Sequence, residues 1–131
     1  MVVVDEHTDG GRTVCAVLAA AGFDAVTTPD VASAAEAVGA EGVSVVLVAN
    51  AAGRSARSTD VVRTLRSSAD ADVRDVSVVV LVDDAGGADA ALASGADSVL
   101  VRPVESTRIV EAVTEVVAVE PSVRAERRRT R

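Results

Sequence analysis

The sequence predicts a single α/β domain built as a doubly wound parallel sheet of five strands, order 2-1-3-4-5, with helices on both faces. Three observations lead there. Short runs of Val and Leu recur along the chain with no polar alternation, the mark of strands buried on both faces. Between them lie Ala-rich segments with apolar residues at helical spacing. The whole pattern of strand and helix, repeated five times, fits within about 120 residues. At 131 residues the chain can bury a core without disulfides or metal.

Val2 to Val4 is the first strand. Thr13 to Ala21 follows as a helix with Val14, Val17, Leu18 and Ala21 on one face, and Gly22 stops it. The second strand is FDAVTT, residues 23–28, and Asp30 N-caps a helix reaching about Val38. VSVVLVA, residues 43–49, is the third strand, and NAAGRSARS is a polar loop. Ser58 or Thr59 caps the next helix, with Val61, Val62 and Leu65 as its buried stripe; SSADADVRD then reads as a polar connection. VSVVVLV, residues 76–82, is the fourth strand, AGGADAALASG a helix ending at Gly95, and SVLV the fifth strand. The last helix runs from Ser106 to Val119, with Ile109, Val113, Val116 and Val117 facing inward. This is a flavodoxin-like arrangement, in which ligands and chemistry sit outside the carboxyl ends of the strands. Asp5, Glu6, Ala49, Asn50, Val82 to Asp84 and Arg102 occupy those ends.

Composition narrows the function. The net charge is −7, and through Val119 eight Arg face eighteen Asp and Glu, which argues against nucleic-acid binding by the domain itself. All thirteen basic residues are Arg, a bias expected of a salt-adapted, halophilic proteome or of a GC-rich genome. Residues 1–119 are expected to form the domain, and residues 120–131, with five Arg from Pro121 onward, a basic and disordered tail. Phe23 is the only aromatic residue, so Val, Ala and Leu must fill the core; Cys15, alone, has no intramolecular disulfide partner. No apolar stretch approaches a membrane span and no signal peptide precedes the first strand, so a cytoplasmic protein is expected.

Residues 1–119 resemble the receiver domains of two-component response regulators. Asp5-Glu6 closing the first strand is similar to that family's acid pair. GFDAVTTPDVASAAEAV follows the family's second strand and helix without a gap. GADSVLVRPV resembles the G-A-D-x-Y-L-x-K-P-F segment, with Arg102 at the usual lysine and Pro103 at the usual cis-proline. The resemblance implies a site at which an aspartate ending the third strand accepts a phosphoryl group from a histidine kinase, with Mg²⁺ held by the acid pair. A Ser or Thr after the fourth strand and the lysine complete that site.

Here the acceptor position falls on Asn50 or Ala49, and neither side chain is a competent nucleophile. The hydroxyl position falls on Val82 or Asp83, and Arg102 keeps the positive charge in a planar fork that can bridge Asp5 or Glu6 directly. The expected molecule is a pseudo-receiver. Its degenerate pocket comprises Asp5, Glu6, Asn50, Val82, Arg102 and Pro103; it requires no cofactor, binds Mg²⁺ weakly at Asp5 and Glu6, and catalyses nothing. The resemblance places its protein-binding face on the helix after the fourth strand, the fifth strand and the last helix, about residues 87–119, for a histidine kinase or another regulator; no membrane is involved. A second resemblance competes for the same loop. Asp5, His7 and Gly10 spell D-x-H-x-x-G, similar to the cobalt-ligating loop of cobalamin-binding domains, which would make the chain a cofactor carrier.

Overall fold

The computed structural model describes residues 1–5, 10–41, 43–49 and 55–118. Five parallel strands, β1 (Val2–Val4), β2 (Val26–Thr28), β3 (Val45–Val48), β4 (Ser77–Val82) and β5 (Ser98–Val101), form one sheet in the order β2-β1-β3-β4-β5. The helices are α1 (Gly10–Ala20), α2 (Val31–Glu41), α3 (Ser55–Arg66), α4 (Ala71–Arg74), α5 (Ala85–Ser94) and α6 (Ser106–Ala118).

Strand parity divides the core in two. Val2, Val4, Val46, Val48, Val78, Val80 and Val82 pack with α2, α3 and α5 on one face. Val3, Val45, Leu47, Ala49, Val79, Leu81 and Leu100 pack with α1 and α6 on the other. Because successive strand residues point to opposite faces, a central strand here must be apolar at every position, and β1, β3 and β4 are buried throughout. β-Branched Val suits this role: it fits the pleated surface and its single χ1 freedom is small to begin with.

Local chemistry ends and starts the helices. Asp30 accepts a hydrogen bond from the Ser33 backbone N–H at 2.7 Å, as the sequence predicts for an N-cap. That backbone bond, and then the Ser33 side chain, hold its carboxyl below the ordinary aspartate value. Asp84 caps α5 in the same way, accepting from Gly87 N–H at 2.8 Å. Gly22 follows α1, and Gly95 caps the end of α5, both with positive φ, 92° and 112°.

Four expectations are corrected. Helix α3 begins at Ser55, so Ser58 and Thr59 are not caps but buried residues inside it. Helix α4 interrupts the connection read as purely polar, because Asp70 accepts from Asp72 N–H at 2.9 Å and starts a turn whose Val73 is buried. Ala21 is exposed, lying just beyond the end of α1. Val117 is half exposed while Ala112 is buried, since the inward stripe of α6 runs Ile109, Ala112, Val113, Val116 at i, i+3, i+4, i+7 and Val117 falls on its margin.

One buried polar atom stands out among the described residues. The Ser77 hydroxyl at the start of β4 is fully buried with no hydrogen-bond partner. Ser77→Ala removes an unsatisfied group at little cost in packing, so stability should be unchanged or raised by about 1 kcal/mol. Urea unfolding of the two proteins checks this, and a loss of stability would contradict it.

Candidate functional site

The carboxyl ends of β1, β3, β4 and β5 converge on one rim. Parity continues past the strands: Val3, Leu47, Leu81 and Leu100 face α1 and α6, so Asp5, Ala49, Asp83 and Arg102, each an even number of residues further on, project toward the same side. Backbone hydrogen bonds carry the ladder to this level. Asp5 N–H donates to Thr28 O at 3.1 Å, Ala49 N–H to Val4 O at 2.8 Å and Arg102 N–H to Val82 O at 2.8 Å.

Asp5 is buried, with 5% of its surface exposed. Its Oδ2 accepts the Gly11 backbone N–H at 2.7 Å, in the first turn of α1, where the unpaired amides and helix dipole favour a carboxylate. Gly11 is required by this approach: a Cβ there would lie 2.8 Å from Asp5 Cβ and 3.0 Å from Thr27 Cγ2. Gly10, the third residue of the D-x-H-x-x-G pattern, is the first residue of α1. Glu6, His7 and Asn50 lie outside the described residues.

Beside Asp5, across the β1–β3 ladder, stands Ala49. The register Val4↔Val48 places these two residues opposite one another one step beyond the paired strands. Ala49 is 3% exposed and belongs to the apolar cluster against α1 and α6. Val82, on the other hand, is the last residue of β4 and points to the opposite face of the sheet, into the core with α2, α3 and α5. The residue on the site's side of β4 is Asp83.

Arg102 closes the rim. Its Nη1 pairs with Asp83 Oδ1 at 3.3 Å and approaches Leu81 O at 3.5 Å, while Glu6, one of the two anions the sequence offered it, lies outside the described residues. The physical reason is adjacency: β4 and β5 are neighbours and Val82↔Val101 pair, so Asp83 and Arg102 follow side by side. Both side chains are about a quarter exposed. The Arg102–Pro103 peptide bond is cis, at the position where the sequence resemblance put a cis-proline.

The donor set can be weighed against Mg²⁺, which takes oxygen ligands in near-octahedral geometry. Asp5 supplies a carboxylate already engaged by α1, and Ala49 supplies no side-chain oxygen. Among the described residues no group of three His, Cys, Asp or Glu side chains is placed to hold a metal. The described side chains do not by themselves make up a Mg²⁺ ligand set.

A second polar cluster, missed in the sequence, lies at the opposite, amino end of β4 and β5. Arg66 at the end of α3 donates to Gly95 O at 2.9 Å, Arg74 O at 2.8 Å, Val76 O at 2.6 Å and Asp97 Oδ2 at 2.9 Å. Asp97 also accepts Val78 N–H at 2.9 Å. This is scaffold, and the G-A-D of GADSVLVRPV is its signature: Gly95 turns the chain and Asp97 receives the arginine.

Solved structures of receivers share this architecture. The chain superposes on a response regulator from Thermotoga maritima with a TM-score of 0.71 at 21% identity, covering 90% of this chain and 96% of that one. On the receiver domain of NtrX from Brucella abortus the TM-score is 0.73 at 17% identity, with 91% and 98% covered. For a signal receiver domain from Bermanella marisrubri the values are 0.71, 18%, 88% and 95%. No protein-family model and no curated protein sequence matches the chain. The flavodoxin-like sheet of order 2-1-3-4-5 is thus the receiver fold, as the sequence predicts. No helix among the described residues is long and apolar enough to cross a membrane.

Proposed function

We propose that this chain is a receiver-like signalling module of a two-component pathway that acts by binding protein partners and does not accept a phosphoryl group. One observation carries the reading: Ala49 occupies the β3 strand-end position beside Asp5, where a receiver presents its acceptor aspartate, and a methyl group cannot be phosphorylated. Asp83 and Arg102 support it. The positions of the receiver's hydroxyl and lysine are taken up by two side chains that pair with each other at 3.3 Å.

The binding face is α5, β5 and α6. β5 is an edge strand with one side open to pairing or packing, and Val101 on it is 45% exposed. Val117 of α6, half exposed, adds to the apolar surface of that helix. A kinase or another cytoplasmic regulator is the class of partner that such a module engages, and residues 120–131 would add basic contacts to it.

Backbone amide spectra test the phosphotransfer half of the reading. Mg²⁺ with beryllofluoride, a phosphoryl mimic, should leave the amide resonances of Asp5, Ala49, Asp83 and Arg102 in place. Shifts clustered at those residues and at Asn50 would overturn it. A native mass spectrum of protein purified from its own host tests the rest. The chain in complex with another protein is the expected result, while an added phosphoryl group or the mass of a cobalamin would refute it.

A further inference from the structure

We infer that the Arg102–Asp83 ion pair is a staple that holds the loops leading into α5 and α6 together, and so fixes the relative placement of the two helices that flank β5. The inference rests on a run of contacts from one loop to the other. Asp83 is bound to Arg102 Nη1 at 3.3 Å. Its neighbour Asp84 is the N-cap of α5, accepting Gly87 N–H at 2.8 Å, and Ala88 N–H donates to Asp84 O at 3.0 Å. Any movement of Asp83 therefore displaces the cap that starts α5.

On the other strand, Arg102 is followed by Pro103 and, three residues beyond it, by the start of α6 at Ser106. Arg108 and Ile109 N–H donate to Glu105 O at 3.0 and 3.3 Å, closing the first turn of that helix. Arg102 also lies near Leu81 O, so the guanidinium spans β4 and β5 beyond the last paired residues, Val82 and Val101. Past those residues the backbone ladder retains Arg102 N–H to Val82 O, and the side-chain pair adds a link at the same level.

Partial burial gives the pair its strength. At about a quarter exposure it is less screened than a surface pair, yet its charges keep enough water contact that desolvation does not dominate. A partner seated on α5-β5-α6 would then meet a surface held in one arrangement. This deepens the reading of the chain as a binding module. Its test uses no phosphoryl donor and no partner, so the two stand or fall separately.

Native-state hydrogen exchange of the full chain, read amide by amide, provides that test. In Asp83→Ala and in Arg102→Ala, the amides of Gly87, Ala88, Arg108 and Ile109 should exchange about fivefold faster than in the parent, with Val46 and Leu47 in β3 unchanged. The charge-swapped double variant, Asp83→Lys with Arg102→Glu, should return the four amides toward the parent rate. Parent-like exchange at all four amides in both single variants would overturn the inference. So would equal acceleration at Val46 and Leu47, which would make the pair a general stabiliser and not a local staple.

Discussion

Asp97→Ala should destabilise the protein by about 3–5 kcal/mol, the largest effect expected of any single substitution outside the apolar core. The carboxylate and its arginine are nearly closed off from solvent, with side chains 6% and 13% exposed. Removing Asp97 takes from the Arg66 guanidinium a carboxylate contact at 2.9 Å, and takes from the Val78 N–H its acceptor at the start of β4. The loss measures the cost of uncompensated buried groups, which exceeds what the ion pair contributes over an apolar substitute. Asp97→Asn, which retains an acceptor for Val78 but not the charge, should cost roughly half as much. Arg66→Ala should be as damaging as Asp97→Ala, because it strands the carbonyls of Gly95, Arg74 and Val76 together. Denaturant unfolding with a shared slope decides the matter, and an Asp97→Ala protein within about 1 kcal/mol of the parent would show that the cluster is dispensable.

Gly95 completes that cluster. Its φ of 112° is one that a side chain resists, and a Cβ would stand 3.0 Å from Arg66 Cγ and 3.1 Å from Nε. The turn that caps α5 and the seat of the guanidinium are one structure.

The second large effect concerns the rim. Ala49→Asp should lower stability by about 2–4 kcal/mol in a divalent-free buffer, and Mg²⁺ should restore part of it. The new carboxylate would be buried beside Asp5, and two like charges in one poorly solvated place raise each other's proton affinity. The result is either a proton taken up or a cation recruited. Recovery by Mg²⁺ is the informative half, because it requires the two carboxylates to share a hard cation in the way that a receiver's acid residues do. Ala49→Ser, with no charge, should show no Mg²⁺ response. If Ala49→Asp is equally destabilised with and without Mg²⁺, then the Asp5–Ala49 level does not correspond to a receiver's phosphoryl site, and the reading of Ala49 as the altered acceptor position loses its support.

What the amino-acid sequence determined by itself was the architecture. Uninterrupted Val runs admit only strands covered on both faces, and the spacing between them leaves room only for crossover helices. Asp30 before its helix and Gly22 and Gly95 after theirs act through neighbours a few residues away, so they could be read directly. Tertiary structure alone decided which of the described side chains meet at the rim. Ala49 and Asn50 are adjacent in sequence, and only the register of β3 on β1 places Ala49 beside Asp5. Val82 and Asp83 differ by one residue and therefore by one face of the sheet, which strand parity resolves once β4 is paired. Arg102 has several acidic residues within its sequence reach, and it meets Asp83 because β4 and β5 end side by side. Arg66 and Asp97 stand thirty-one residues apart with no local pattern to join them. Backbone signals act over one turn and apolar patterns over one element, but the partner of a charge depends on which chain ends the folded sheet brings together.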